Sequence, residues 1–191
     1  MTTSASNTAK EILLIKNGEL ALKGLNRGTF EDVLLKNLRR RLSSLGEFRI
    51  RKAQSTIYIE PQSADIDLDE AADRVSKVFG ISAFSRARVV EKDMDAILTA
   101  VGGYLAEPLR AARTFQVEAK RRDKPVPLES PAICREVGAC LLEQYPHLCV
   151  DVHHPDVQVM IEIRDFGAYI HTAQLPGAGG MPVGTGGKAA I

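Results

Sequence analysis

Aromatic residues are scarce in this chain: six Phe, four Tyr and no Trp make up 5% of its 191 residues. Extensive base stacking in the manner of single-strand binders needs many more π-faces, so that mode is excluded. Cysteine is scarce too. Cys134, Cys140 and Cys149 are odd in number and form no C-x-x-C pair, which excludes a disulfide framework. An intracellular chain with reduced, mostly buried thiols is expected, with Cys134 and Cys140 packed in a core. No apolar run approaches the ~20 residues of a membrane helix, and the polar opening MTTSASNTAK lacks the apolar stretch of a signal peptide. A cytoplasmic location without membrane contact is therefore expected, with residues 1–10 disordered.

Catalytic constellations are missing as well. No G-x-S-x-G, H-E-x-x-H or G-x-G-x-x-G element occurs. Gly187-Lys188 imitates the end of a Walker A loop, but Pro182 stands at the first glycine position and Ala189 where a hydroxyl is required. His153-His154 lies beside Asp156, yet adjacent residues of an extended segment point to opposite faces and no second ligand pair sits at a useful spacing. No metal is expected.

What is present is an ordinary globular composition, 45% hydrophobic and 26% charged, long enough for one domain or two small ones. The formal net charge of +1 conceals an uneven distribution. Residues 10–60 carry +5, 61–85 carry −3, 86–125 carry +3 and 126–191 carry −4. Two dense cationic clusters stand out, Arg39-Arg40-Arg41 and Lys120-Arg121-Arg122 followed by Lys124. Screening confines each charge to about 10 Å at 0.1 M salt, so a local cluster can hold phosphate on a neutral protein.

Apolar spacing sets the order of elements. Glu11 to Asn17 is a short apolar run suited to a buried strand. A helix follows, with Phe30, Val33, Leu34, Leu38 and Leu42 at three- and four-residue spacing and Thr29 with Asp32 as a capping-box-like start. Strands at 48–52 and 56–60, a helix over 69–79 closed by Gly80, and a strand over 81–90 complete β-α-β-β-α-β, the order of a ferredoxin-like sandwich. Beyond it lie a helix over 93–111, a strand over 114–119, a helix from Ser130 to about Gln144 with Ser130 as N-cap, and strands at 149–152, 157–164 and 168–174. The fold class is thus α/β (α+β): a ferredoxin-like domain over 11–91, a second α/β unit over 92–175, and a Gly-rich linker over 176–191.

The most informative stretch runs from Lys120 to Pro131, KRRDKPVPLESP. It is a cationic loop leading from a strand into a helix N-terminus, whose free N–H groups and positive dipole end favour phosphate. Arg135 lies about one turn into that helix. With few aromatics available, recognition of the backbone and shape of a folded RNA fits better than base reading.

Four segments carry a specific resemblance: GELALKGLNR (18–27), AKRRDKPVPLESPAICREVGACLL (119–142), VDVHHPDVQVMIEIRD (150–165) and GAGGMPVGTGGKA (177–189). In this order they resemble the tRNA 4-thiouridine synthetases, also called tRNA sulfurtransferases, of the ThiI family. The resemblance implies a ferredoxin-like domain followed by a THUMP domain, together binding tRNA, with the THUMP domain on the acceptor stem and its 3′ end. By that resemblance Lys120, Arg121, Arg122, Lys124, Ser130 and Arg135 are expected to grip RNA. Lys23, Asn26 and Arg27 are expected to touch the acceptor region or brace the domain interface.

In the family, a PP-loop domain with an S-G-G-x-D-S signature follows, binds ATP and Mg²⁺, and adenylates uridine 8 of tRNA. Its cysteine receives sulfur that originates with a cysteine desulfurase. This chain reaches Ile191 without that signature or that cysteine, so no cofactor of its own and no catalytic residue are expected. A tRNA-binding module is the leading expectation. A homodimerisation module, or the THUMP portion of another tRNA-modifying enzyme such as a methyltransferase, is the alternative. The family's link to thiamine biosynthesis is carried as an association only.

Overall fold

The computed structural model describes residues 10–16, 27–122, 127 and 129–184. The chain divides into two compact units, one drawn from 11–86 and 174–191, the other from 1–10 and 87–173.

The first unit opens with β1 (Glu11–Lys16), α1 (Arg27–Leu42), β2 (Phe48–Ala53), β3 (Thr56–Pro61), α2 (Leu68–Ser76) and the start of β4 (Ala83–Val90). Strand order is β2-β3-β1-β4, and β3 runs antiparallel to both β1 and β2. This is the ferredoxin-like arrangement. Leu13 and Ile15 of β1 pack with Leu34, Leu38 and Leu42 of α1, Ala71 and Val75 of α2, and Ile57 and Ile59 of β3. Ile12 and Leu14, on the opposite face of β1, are buried as well. Burial on both faces is why β1 reads as an unbroken apolar run rather than an alternation.

Asp67 caps α2, its carboxylate accepting from the backbone N–H groups of Asp69 and Glu70 at 2.9 and 3.1 Å. Arg86 donates to Glu11 at 2.6 Å and also pairs with Asp69. Burial disfavours the Arg86 charge, but the hydrogen bonds and charges of Glu11 and Asp69 outweigh it and raise the guanidinium pKa above its ordinary value.

The second unit contains the end of β4, then α3 (Met94–Tyr104), α4 (Ala106–Ala111), β5 (Thr114–Arg121), α5 (Ser130–Gln144), β6 (Cys149–Val150), β7 (Val157–Arg164) and β8 (Gly167–His171). Its strand order is β4-β8-β7-β5-β6. β5 is parallel to β6 and β7, whereas β7 and β8, and β8 and β4, are antiparallel. Ile97, Val101 and Leu109 from α3 and α4 join Ile133, Val137 and Leu141 of α5 against Phe115, Val159, Ile161, Ile163, Ala168 and Ile170 of the sheet. After Ala173 the chain returns to the first unit through β9 (Leu175–Pro176), which pairs with β4 at Ala83 and Phe84. No helix among the described residues is long and apolar enough to cross a membrane.

Several boundaries differ from expectation. The helix expected over 93–111 is two helices, because Pro108 has no N–H for the carbonyl of Tyr104 and its ring crowds that carbonyl. The strand expected over 149–152 ends at Val150, since Asp151 folds back to accept from the backbone of His153 and His154 at 2.9 and 3.0 Å. α1 begins at Arg27, which places Thr29 inside the first turn rather than at the cap. α2 ends at Ser76, and Gly80, at φ +99°, lies in the turn that follows. The N-cap of α5 is Glu129, not Ser130. Cys134 and Cys140 are half-buried and Cys149 is exposed, so the thiols are less buried than expected.

The described part of the Gly-rich segment is not a free linker. Gly177 N donates to the Ser82 carbonyl at 2.9 Å, Gly179 N to that of Ile81 at 2.7 Å, and Gly80 N to that of Gly179 at 2.8 Å. Asn37 of α1 holds the Val183 carbonyl at 3.1 Å.

Candidate nucleic-acid interface

β5, parallel to both of its neighbours, ends at Arg121, and the next helix, α5, starts at Ser130 in the same unit. Along β5, Phe115, Val117 and Ala119 pack into the helix-side core. By the two-residue period of a strand, Arg121 continues that face beyond the core, while Gln116, Glu118 and Lys120 take the other. Arg121 and Arg122 are both exposed, and Arg122 N is anchored to the Ile163 carbonyl at 2.9 Å. The Glu129 cap makes no side-chain hydrogen bond to the first turn of α5, and Pro131 lies within that turn. The amide end of this 15-residue helix, without a side-chain cap, thus begins eight positions after Arg122.

The expected RNA-binding residues fall in different places. Arg121 and Arg122 are exposed at the end of β5, and half-buried Ser130 opens α5 in the same unit. Lys120 does not share the Arg121 face: its ammonium pairs with Glu118 at 2.8 Å on the opposite face of the sheet. Arg135 is on α5 but two positions from buried Ile133, hence on the solvent side; it is 72% exposed and 3.5 Å from Glu136. Arg27 opens α1 in the first unit. Lys23, Asn26 and Lys124 lie outside the described residues.

One further cation of this unit was not anticipated. Lys92, just past the end of β4, donates to the Asp165 carbonyl at 2.9 Å, across from the β7–β8 turn. Its signal in the sequence was a lone lysine after a strand, without neighbours to mark it.

On the sheet face of this unit away from the helices lies a buried polar group. Glu162 accepts from Nε of Arg164 at 2.6 Å and from Nε2 of His171 at 2.9 Å, and the Thr172 carbonyl is 3.1 Å from Nδ1 of His171. Their side chains are 0%, 6% and 1% exposed. With no opening to solvent, this trio is a structural pin that couples β7 to β8 and not a reactive centre.

Two family models match the chain in tandem, the ThiI ferredoxin-like domain over residues 12–85 and the THUMP domain over 91–173. A tRNA sulfurtransferase of Alkaliphilus oremlandii is 40% identical over 185 residues, covering 95% of this chain and 46% of that protein. One from Acetivibrio thermocellus is 40% identical over 184 residues, covering 95% and 47%. Among solved structures, a 4-thiouridine synthetase in complex with RNA and bound ATP superimposes with a TM-score of 0.81 at 32% identity, over 94% of this chain and 45% of that one. The chain spans about half the length of the curated relatives it matches.

Proposed function

Since the chain belongs to the family in which a ThiI ferredoxin-like domain is followed by a THUMP domain, we propose that it is the RNA-recognition portion of a tRNA sulfurtransferase, gripping the backbone of the acceptor end of tRNA. The observation that carries the reading is the pair Arg121 and Arg122, exposed at the end of β5, with α5 starting eight positions on without a side-chain cap. Guanidinium groups offer two parallel donors to a phosphate, and the helix end adds backbone donors and a favourable dipole. Contacts of this kind position RNA without reading its bases, which accords with the low aromatic content.

On this reading, 4-thiouridine formation, ATP and Mg²⁺ binding and sulfur delivery from a cysteine desulfurase belong to the half of the relatives that this chain does not span. A cytoplasmic location and homodimer formation form part of the same proposal.

The test is binding of an acceptor-stem hairpin RNA across a salt series. Each neutralised phosphate contributes a slope of roughly 0.7–0.9 in log K against log salt. Arg121→Glu with Arg122→Glu is expected to abolish binding at 0.15 M salt. Lys120→Ala, whose side chain is held by Glu118 on the other face, is expected to change affinity by no more than about twofold, a rim-charge effect. Undiminished affinity of the double charge reversal would overturn the reading.

A further inference from the structure

β2 is the outermost strand of the first unit, and among the described residues no strand pairs with its free edge. Gln62 N donates to the Glu47 carbonyl at 2.9 Å, which sets the phase of the antiparallel ladder between β2 and β3. Hydrogen-bonded and non-hydrogen-bonded pairs alternate along such a ladder. Arg49 and Arg51 therefore exchange backbone bonds with Glu60 and Tyr58, while Phe48, Ile50 and Lys52 turn their N–H and C=O groups outward. The register runs from Phe48 to Ala53 without a bulge, so the outward groups form an unbroken row.

Beside that edge, between β2 and the last turn of α1, is an open groove of about 240 Å³ lined by Arg39, Leu42, Ser43, Gly46, Phe48 and Ile50. Phe48 and Ile50 are half-buried and pack against the first unit's core, so their side chains form an apolar floor. The volume is below the roughly 300–1,000 Å³ of small-ligand sites. It suits side chains laid in from a neighbouring strand better than an enclosed molecule. A free edge beside an apolar groove is the geometry in which an extended peptide adds a strand, the backbone giving affinity and alternate side chains giving selectivity.

Charge selects the occupant. β2, FRIRKA, carries Arg49, Arg51 and Lys52 and no acidic residue. Arg51 and Lys52 pair with Glu60 and Glu31. Arg49 on the strand and Arg39 and Arg40 on the helix are exposed, with Glu47 the one acidic residue of the connection between them. Pairing β2 with β2 of a second copy would set like charges opposite one another, which is destabilising. Charged residues on an edge strand guard against added strands, but a guard of one sign admits a strand of the other. An RNA backbone would use the cations and leave the apolar floor unused.

We propose that this edge docks an extended acidic segment of a partner protein, added as a strand beside β2. Residues of that segment opposite Phe48 and Ile50 are apolar and enter the groove, and those opposite Arg49 and Arg51 are Asp or Glu. The site lies wholly in the first unit and is independent of Arg121 and Arg122 in the second.

The probe is a fluorescein-labelled peptide of alternating Glu and Val, about six residues long as strands usually are, titrated into the whole chain and read by anisotropy. It is expected to bind, more weakly as salt rises, and a Lys–Val peptide is expected not to bind. Hydrogen exchange read by NMR is expected to slow on binding at the amides of Phe48, Ile50 and Lys52. At Arg49 and Arg51, already within the β2–β3 ladder, it is expected to stay as it was. Arg39→Glu with Arg49→Glu is expected to weaken binding by about tenfold, since reversal sets like charges across the interface. Ile50→Pro removes one outward N–H, spares the ladder with β3 and is expected to abolish binding. The exposed arginine pair keeps the test valid if Ile50→Pro fails to fold, which circular dichroism reports. No binding of the acidic peptide, equal binding of the Lys–Val peptide, or binding that leaves the Ile50 amide unprotected overturns the inference. So does a hairpin RNA that loses affinity in the Arg39→Glu, Arg49→Glu variant while the peptide is not bound, a result that assigns the cluster to RNA. The reading of Arg121 and Arg122 stands or falls separately, on its own salt series.

Discussion

Glu162→Ala is the substitution whose cost follows most directly from the structure. Glu162 is fully buried and holds both Arg164 and His171, whose side chains are 6% and 1% exposed. Removing the carboxylate leaves the Arg164 charge buried without that counter-ion, and deleting one member of a buried pair costs about 3–5 kcal/mol. For a chain of this size each kcal/mol lowers Tm by about 2–4 °C. The expected fall in Tm is therefore about 6–20 °C, read by circular dichroism, with urea unfolding as an independent measure. The companion variant, Glu162→Met with Arg164→Met, removes both charges and keeps the volume. An apolar pair in place of a buried ion pair is commonly neutral or stabilising, so the double substitution should recover most of what the single one loses. Refutation is simple. If Glu162→Ala costs under about 1 kcal/mol, well short of the value for a broken buried pair, or if the double variant is as unstable as the single, the trio does not pin the sheet.

Three further expectations concern two glycines and a pair of carboxylates. A Cβ on Gly177 would lie 2.2 Å from the Ile81 carbonyl oxygen, so Gly177→Ala should cost about 1–3 kcal/mol as an overpacking change and speed proteolysis within 174–184. Gly103→Ala, in α3 where a Cβ meets nothing within 4 Å, should instead stabilise by about 0.5–1 kcal/mol. Asp151 and Asp156 have pKa values below the ordinary 3.8, because the backbone N–H groups of His154 and His153, and of Arg113 and Thr114, bind the ionised carboxylates. Depressed folded values mean that the unfolded state binds more protons in this window. The stabilisation is therefore complete above the ordinary value and is lost as pH falls below it through the folded values. Tm measured against pH should show that acid slope, and Asp151→Ala with Asp156→Ala should remove it.

The β-α-β-β-α-β order was legible because its signals are local: a doubly buried apolar run at 12–15, a helical period through Leu34, Leu38 and Leu42, and Gly80 after α2. The α3–α4 break was hidden because Met94, Ile97, Val101, Leu105 and Leu109 keep helical spacing straight through Pro108, so the periodicity spoke louder than the missing N–H. The cationic cluster was legible as charge but not as geometry. Lys120 and Arg121 are neighbours in sequence, yet strand alternation sends them to opposite faces of the sheet. Glu162, Arg164 and His171 were passed over because alternate polar residues in VQVMIEIR look like a solvated strand face, and nothing local reveals that this face is covered.

The return of residues 174–184 to the first unit makes the second unit an insertion within the first. Joining Ser82 to Gly177 closes a loop of roughly 95 residues, which in an unfolded chain costs about 4 kcal/mol of entropy. Once the second unit is folded, most of that cost has been met, because its entry and exit run side by side as Arg88 paired with Ile170. The docked segment is thus thermodynamically tied to a unit of which it is no part. Slow hydrogen exchange at the amides of Gly177 and Gly179 would report that the intervening 87–173 is folded, and exchange that stays slow when that insertion is selectively unfolded would contradict the coupling.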